Sequence, residues 1–320
     1  MFAARGMAVS FSVFVMVYFA LSLAVCFTWR RVQVYGQKHP VRRVADLLFG
    51  LRLFPLATAA VITAAFTVPS FLLLEPRTID EPLGGIPLVL GLCGAMFGIF
   101  GLVNAGLALR RAARTISTWT ADALPLQTPA SVPVLRIARK FPAMTAAGIV
   151  RPRVLLSNAA EFLLNDNELQ TALNHEVAHV RRRDNLKKLL LRFVAFPGMD
   201  DLEAAWLEAT EMAADDAAVA NTGDALDLAA ALIKLSRLGP VEPPAELTAA
   251  LVHSGAAVMN ARIERLVSWT EERLEPVRKH SSSYELAYGL GAALAALAVF
   301  AVTYSQLLVR VHTATEWLVR

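Results

Sequence analysis

At 320 residues the chain has room for two domains, but 56% hydrophobic residues, only 18% charged residues and a mean hydropathy of +0.48 exclude an ordinary soluble globule throughout. The net charge of +4 and pI near 9.3 do not point to nucleic acid, because much of the basic excess borders apolar runs instead of forming one patch. The two cysteines, Cys26 and Cys93, lie in apolar runs and form no CxxC pair, so a disulfide framework and a thiolate metal site are both excluded, and any metal must use histidine and carboxylate.

Residues 7–27 carry no charge and are long enough to cross about 30 Å of hydrocarbon as a helix. They end at Trp29, Arg30 and Arg31, an aromatic anchor followed by a stop-transfer pair, whereas a cleaved signal peptide has a shorter core and a small-residue cleavage site. A second span is expected over 53–74, where Pro55 and Pro69 are tolerable if neighbouring helices satisfy the freed carbonyls. A third, 83–109, has glycines at 94, 98, 101 and 106 that permit close helix contact. A fourth, 286–309, is flanked by Tyr284, Tyr288 and Arg310.

The flanking charges give an orientation. Arg30, Arg31, Lys38, Arg42, Arg43 and Arg52 separate the first two runs, whereas Arg77 stands with Glu75, Asp80 and Glu81 between the second and third. Basic loops remain in the cytoplasm, so both termini are expected outside and the long segment 110–283 inside, with 284–309 as the last span and 310–320 as a short extracytoplasmic tail.

Within 110–283 two strands are expected, 132–138 and 153–157. Asn165 followed by Glu168 resembles a capping box opening a helix whose buried stripe is Leu169, Leu173, Val177 and Val180. Residues 185–197 are basic and apolar together: they lie either on the membrane surface with Lys187, Lys188 and Arg192 towards headgroups, or in the core as an amphipathic helix. Helices follow over 200–221, stopped by Gly223, over 224–238 and over 256–269.

The helix that opens after Asn165 carries His175-Glu176-Val177-Ala178-His179. Residues four apart share a helix face, so the two imidazoles can meet one ion with Glu176 beside them. Chance supplies such a motif in roughly one of 200 chains of this composition, and two surface histidines on a polar helix is the competing reading. A catalytic zinc needs a third protein ligand and an open position. Glu211 and Asp215, four apart on the following helix, supply a ligand and a carboxylate to orient a ligand histidine, unless with Glu203, Glu208 and Asp216 they form a solvated acidic face.

Taken in order, RPRVLLS, NDNELQTALNHEVAHVRRRDN and a downstream ExxxD resemble the BlaR/MecR-type integral-membrane zinc peptidases, family fifty-six of the metallopeptidases. The resemblance covers best 148–185 and resumes at 211–216. It implies a mainly α membrane protein of four transmembrane helices with a cytoplasmic α+β, gluzincin-like zincin domain between the third and fourth. It also implies zinc on His175, His179 and Glu211, with Glu176 as catalytic base. Arg262 resembles an arginine that follows the metal helices in related membrane peptidases and is an oxyanion candidate, as is His253. The large extracellular penicillin-binding domain of the family's sensors is not found after the fourth run, where about eleven residues remain. The function so implied is zinc-dependent cleavage of a protein at or near the cytoplasmic face of the inner membrane, the substrate being a repressor, a membrane protein or the chain itself. The competing class is a non-catalytic zinc-binding transducer acting through conformational change.

Overall fold

A computed structural model of the chain describes residues 2–36, 38–76, 84–128, 131–138, 143–194, 196–238, 247–250, 256–269, 300 and 302–316. The described chain is mostly helical. Helix α1 (Phe2–Gly36) is followed by α2 (Val41–Ile62), a π-helical turn (Thr63–Thr67), α3 (Val68–Leu74) and α4 (Gly85–Trp119). Strands β1 (Leu124–Leu126), β2 (Val134–Ile137), β3 (Met144–Ala147) and β4 (Arg153–Ser157) lead into α5 (Asn158–Leu163), α6 (Asp166–Arg182), α7 (Asp184–Phe193), α8 (Asp200–Ala218) and α9 (Thr222–Ser236). Strand β5 (Ala249–Ala250) and α10 (Ala256–Val267) follow, and residues 302–316 are helical.

Three helical stretches, Phe2–Gly36, Val41–Leu74 and Gly85–Trp119, are long and apolar enough to cross a membrane. Apolar side chains on them such as Phe19, Leu73 and Ile99 are more than half exposed, as expected of helices solvated by lipid. Each outruns its sequence expectation. Arg30 and Arg31 end the first apolar run but not the helix, which continues to Gly36 because charge stops hydrophobicity without breaking backbone hydrogen bonding. The third helix likewise runs through Arg110, Arg111 and Arg114 to Trp119. Most of the expected fourth span, 286–309, lies outside the described residues.

The chain divides into two compact units, the first made of Met1–Cys26, Leu53–Phe100 and Leu274–Arg320 and the second of Phe27–Arg52 and Gly101–Arg273. In the first unit Pro69 sits in the opening turn of α3, just after the π turn. Proline has no N–H to give to the carbonyl four residues back, that of Ala65, and the Tyr304 hydroxyl donates to that oxygen at 2.6 Å. Gly91 and Gly94 of α4 meet the backbone of α1: a Cβ on either would stand 2.9 Å from Ala8 Cα or 2.7 Å from Phe11 O. Gly98 and Gly106, expected to serve the same purpose, face open space. Gly94→Leu is therefore expected to lower stability by about 1–3 kcal/mol through overpacking, read as a lower melting temperature in detergent, while Gly98→Leu is tolerated.

The second unit holds a five-stranded sheet in the order β1-β2-β4-β3-β5, with β2 and β4 parallel and the other neighbours antiparallel. The two expected strands correspond to β2 and β4; β1, β3 and β5 are additional. The capping box at Asn165 and Glu168 is present, and Glu168 also takes Lys234 Nζ at 2.7 Å, tying the start of α6 to α9. Of the expected α6 stripe, Leu173 and Val177 are buried in the main core, Leu169 packs partly buried against it and Val180 is half-buried. Gly223 does not stop a helix: Asn221 caps α9, which contains Gly223 in its first turn. In α7, Lys187 reaches Asp46 and Lys188 reaches the Thr248 carbonyl, so these two ammonium groups turn to the protein, the pattern of the amphipathic-core reading.

Candidate metal centre

Helix α6 presents His175, Glu176 and His179 from buried positions, and α8 faces them with Glu211 and Asp215. The two Nε2 atoms stand 3.1 Å apart. Glu211 closes the triangle, with Oε2 3.5 Å from His175 Nε2 and Oε1 3.6 Å from His179 Nε2. Three donor atoms, one from each residue, lie within 4.8 Å of one another.

Each ring has a carboxylate behind it. His175 Nδ1 lies 2.9 Å from Asp215 Oδ1, and His179 Nδ1 lies 2.8 Å from Asp184 Oδ2. A carboxylate so placed holds the proton on Nδ1 and leaves an electron pair on Nε2; at His179 the contact is a hydrogen bond, at His175 a close ion-pair contact. Two imidazole lone pairs and a carboxylate then converge, an arrangement that repels itself unless a cation sits among them. Donors about 2 Å from one ion at tetrahedral angles stand roughly 3.3 Å apart, so the observed edges fit a metal. The protonation behaviour expresses the same demand. Burial works against charging His179, but Glu211 and Asp184 outweigh it and raise its pKa to about 10. His175 is raised in the same way, with Asp215 and Glu211 overcoming burial. Burial would push Glu211 up, yet the two histidines and Arg262 hold it well below the usual carboxylate range.

Glu176 is oriented by the sheet. Its Oε2 accepts the Ala146 N–H of β3 at 2.6 Å, while Oε1 is buried without a hydrogen bond. Burial raises its pKa, with both histidines pulling the other way.

Arg262 of α10 is fully buried. Its Nε and Nη2 grip Asp215 at 2.8 and 2.7 Å, and Nη1 lies 3.2 Å from Glu211 Oε2. Against the opposing effect of burial, this guanidinium brings Asp215 down to about 2. All three guanidinium nitrogens are thus turned to carboxylates. His253 lies outside the described residues.

Sequence reasoning places Asp184 with Arg181, Arg182 and Arg183 at the end of the metal helix but does not foresee its contact with His179, nor the role of Asn185. Helix α6 ends at Arg183 in the left-handed conformation (φ 55°), and this sharp end lets Asp184, the first residue of α7, fold back onto His179. Asn185 donates to the carbonyls of Ala146 and Gly148, fixing β3 against the same corner. The available signal was the polar pair directly after the arginine run. A second grouping of possible donors, Glu75, His312 and Glu316 in the first unit, is less enclosed, and Arg5 Nη1 already lies 3.0 Å from Glu75. No protein-family model matches the chain and no curated protein matches its sequence, so the function rests on this geometry.

Proposed function

We propose that the chain is a membrane-embedded zinc endopeptidase of the BlaR/MecR type, with a fourth span at 286–309 and a zincin domain on the cytoplasmic side. The observation that carries this reading is Glu176 held on β3 with one free buried oxygen, beside three donors that converge as metal ligands. Histidine and carboxylate donors in a set of three suit zinc with a position left open.

Bound zinc supplies Lewis-acid activation of water and of the scissile carbonyl. The chain's own residues do the rest. Glu176 Oε1 takes the proton of the attacking water and passes it to the leaving amine, and the raised proton affinity of a buried carboxylate suits that shuttle. Asp215 and Asp184 keep both imidazoles in the ligating tautomer, and Arg262 locks Asp215 and Glu211 in place. The substrate is a polypeptide at the membrane surface: a repressor, a membrane protein or another copy of the chain.

Elemental analysis of the detergent-purified protein is expected to find one zinc per chain. His179→Ala should weaken zinc by more than the roughly 10–100-fold that loss of an outer-shell partner costs. Cleavage of co-expressed candidate substrates should stop on chelation and return with added zinc. A chain purified without metal, or cleavage indifferent to chelation, overturns the reading.

A further inference from the structure

Within the second unit, a cavity of about 710 Å³ opens beside the metal helix, on the side of α6 marked by Asn174, Val177, Ala178 and Arg181 instead of the His175 and His179 side. Its volume is that of a small-molecule site, which typically spans roughly 300–1,000 Å³. Arg42, Arg181, Arg182 and Lys187 line it together with Asp46 and Asp224, and with Asp184, which faces Arg182 and Lys187, four cations stand against three carboxylates. Ala213, Ala218 and Val219 form an apolar wall.

Two observations distinguish this cavity from a solvated basic surface. The Arg182 side chain is only 10% exposed, and its Nε and Nη2 make no hydrogen bond: the facing carboxylate oxygens, Asp184 Oδ1 and Asp46 Oδ1, each stand 3.6 Å away. This guanidinium edge is thus paired in charge but not in hydrogen bonds, and the oxygens of an anion at closer range would complete it. The acids lining the cavity are also engaged elsewhere. Asp46 takes Lys187 at 3.2 Å, and Asp224 accepts the Ala220 N–H at 2.9 Å. Planar arginine forks plus an ammonium suit the tetrahedral oxygens of a phosphate. The apolar wall leaves room for an organic group.

The cavity is also connected to the metal centre. Asp184 Oδ2 holds His179, while its other oxygen, buried and without a hydrogen bond, has Arg182 Nε at 3.6 Å and Lys187 Nζ at 3.8 Å. We propose that this cavity binds a phosphate-bearing anion through Arg42, Arg181, Arg182 and Lys187, and that Asp184 relays its occupancy to His179. An anion drawing Arg182 and Lys187 towards itself leaves more of the Asp184 charge on His179, which strengthens that imidazole as a ligand. Only the relay rests on the metal reading.

The test measures radiolabelled inorganic phosphate by equilibrium dialysis against the full chain in neutral detergent. Saturable binding at one site is expected, weakened roughly 10- to 100-fold by Arg182→Gln or by the more exposed Lys187→Gln. Arg43→Gln, which removes a neighbouring cation that does not line the cavity, should leave it unchanged. Melting curves establish that the variants fold. In nanodiscs, competition of phosphatidylglycerol with phosphate identifies a lipid headgroup as the source, and its absence identifies a soluble phosphate ester. Lack of saturable phosphate binding, equal weakening by Arg43→Gln, or binding of an acidic peptide in place of phosphate overturns the site. Saturating phosphate should tighten zinc several-fold in competition with a chromophoric chelator, with the reciprocal effect of zinc on phosphate. Unchanged zinc affinity overturns the relay, and a chain that binds phosphate but no zinc refutes the peptidase while the phosphate site stands.

Discussion

Glutamine in place of Glu176 is expected to leave zinc at the wild-type level and to lower peptide hydrolysis by roughly 10²–10⁴-fold, the usual contribution of a positioned general base. The substitution suits the site. Glutamine keeps an oxygen for the Ala146 N–H and adds no volume, while the buried Oε1 that would accept the proton is replaced or neutralised. Fold and ligand set should survive, so the variant separates chemistry from binding. Zinc content and cleavage of co-expressed substrates are the two readouts. If zinc and the cellular effect are both unchanged, the chain signals by conformation and not by hydrolysis.

Removal of Arg262 has the largest expected effect on stability. Arg262→Ala strips the buried Asp215 of the guanidinium that grips it and Glu211 of one neighbouring cation, and breaking a buried pair from one side typically costs about 3–5 kcal/mol. The loss should appear as a lower melting temperature together with reduced zinc content, because both carboxylates belong to the donor set or support it. Arg262→Lys keeps the charge but cannot grip Asp215 with two nitrogens while a third faces Glu211, so an intermediate result is expected. A role confined to oxyanion stabilisation predicts the opposite pattern: activity lost, with stability and zinc retained.

The convergence of the donors was legible in the sequence because it follows helical period. His175 with His179 and Glu211 with Asp215 are pairs four apart, and two helices that each carry such a pair need only face one another. The support behind them was less legible. Asp184 orients His179 only because α6 stops at Arg183, and a left-handed end on an arginine carries no glycine signature. Strand β3 is Met-Thr-Ala-Ala, with one β-branched residue; its extended state comes from pairing with β4 and β5, contacts that no local pattern encodes. The glycines of α4 make the same point from the other side. Gly94 packs against α1 and Gly98 does not, although composition treats them alike. Helix rotation decides between them, and rotation is a tertiary property.

The bond from Tyr304 to Ala65 bears on how the chain is made. The two residues are 239 positions apart, so the carbonyl freed by Pro69 cannot receive this donor until synthesis has passed residue 304. Until then the second apolar stretch waits with an acceptor that hydrocarbon cannot satisfy, at a cost of several kcal/mol. Packing of this stretch is thus tied to synthesis of a distant one: a product that stops before residue 304 keeps an open defect, and arrival of the helix at 302–316 closes it.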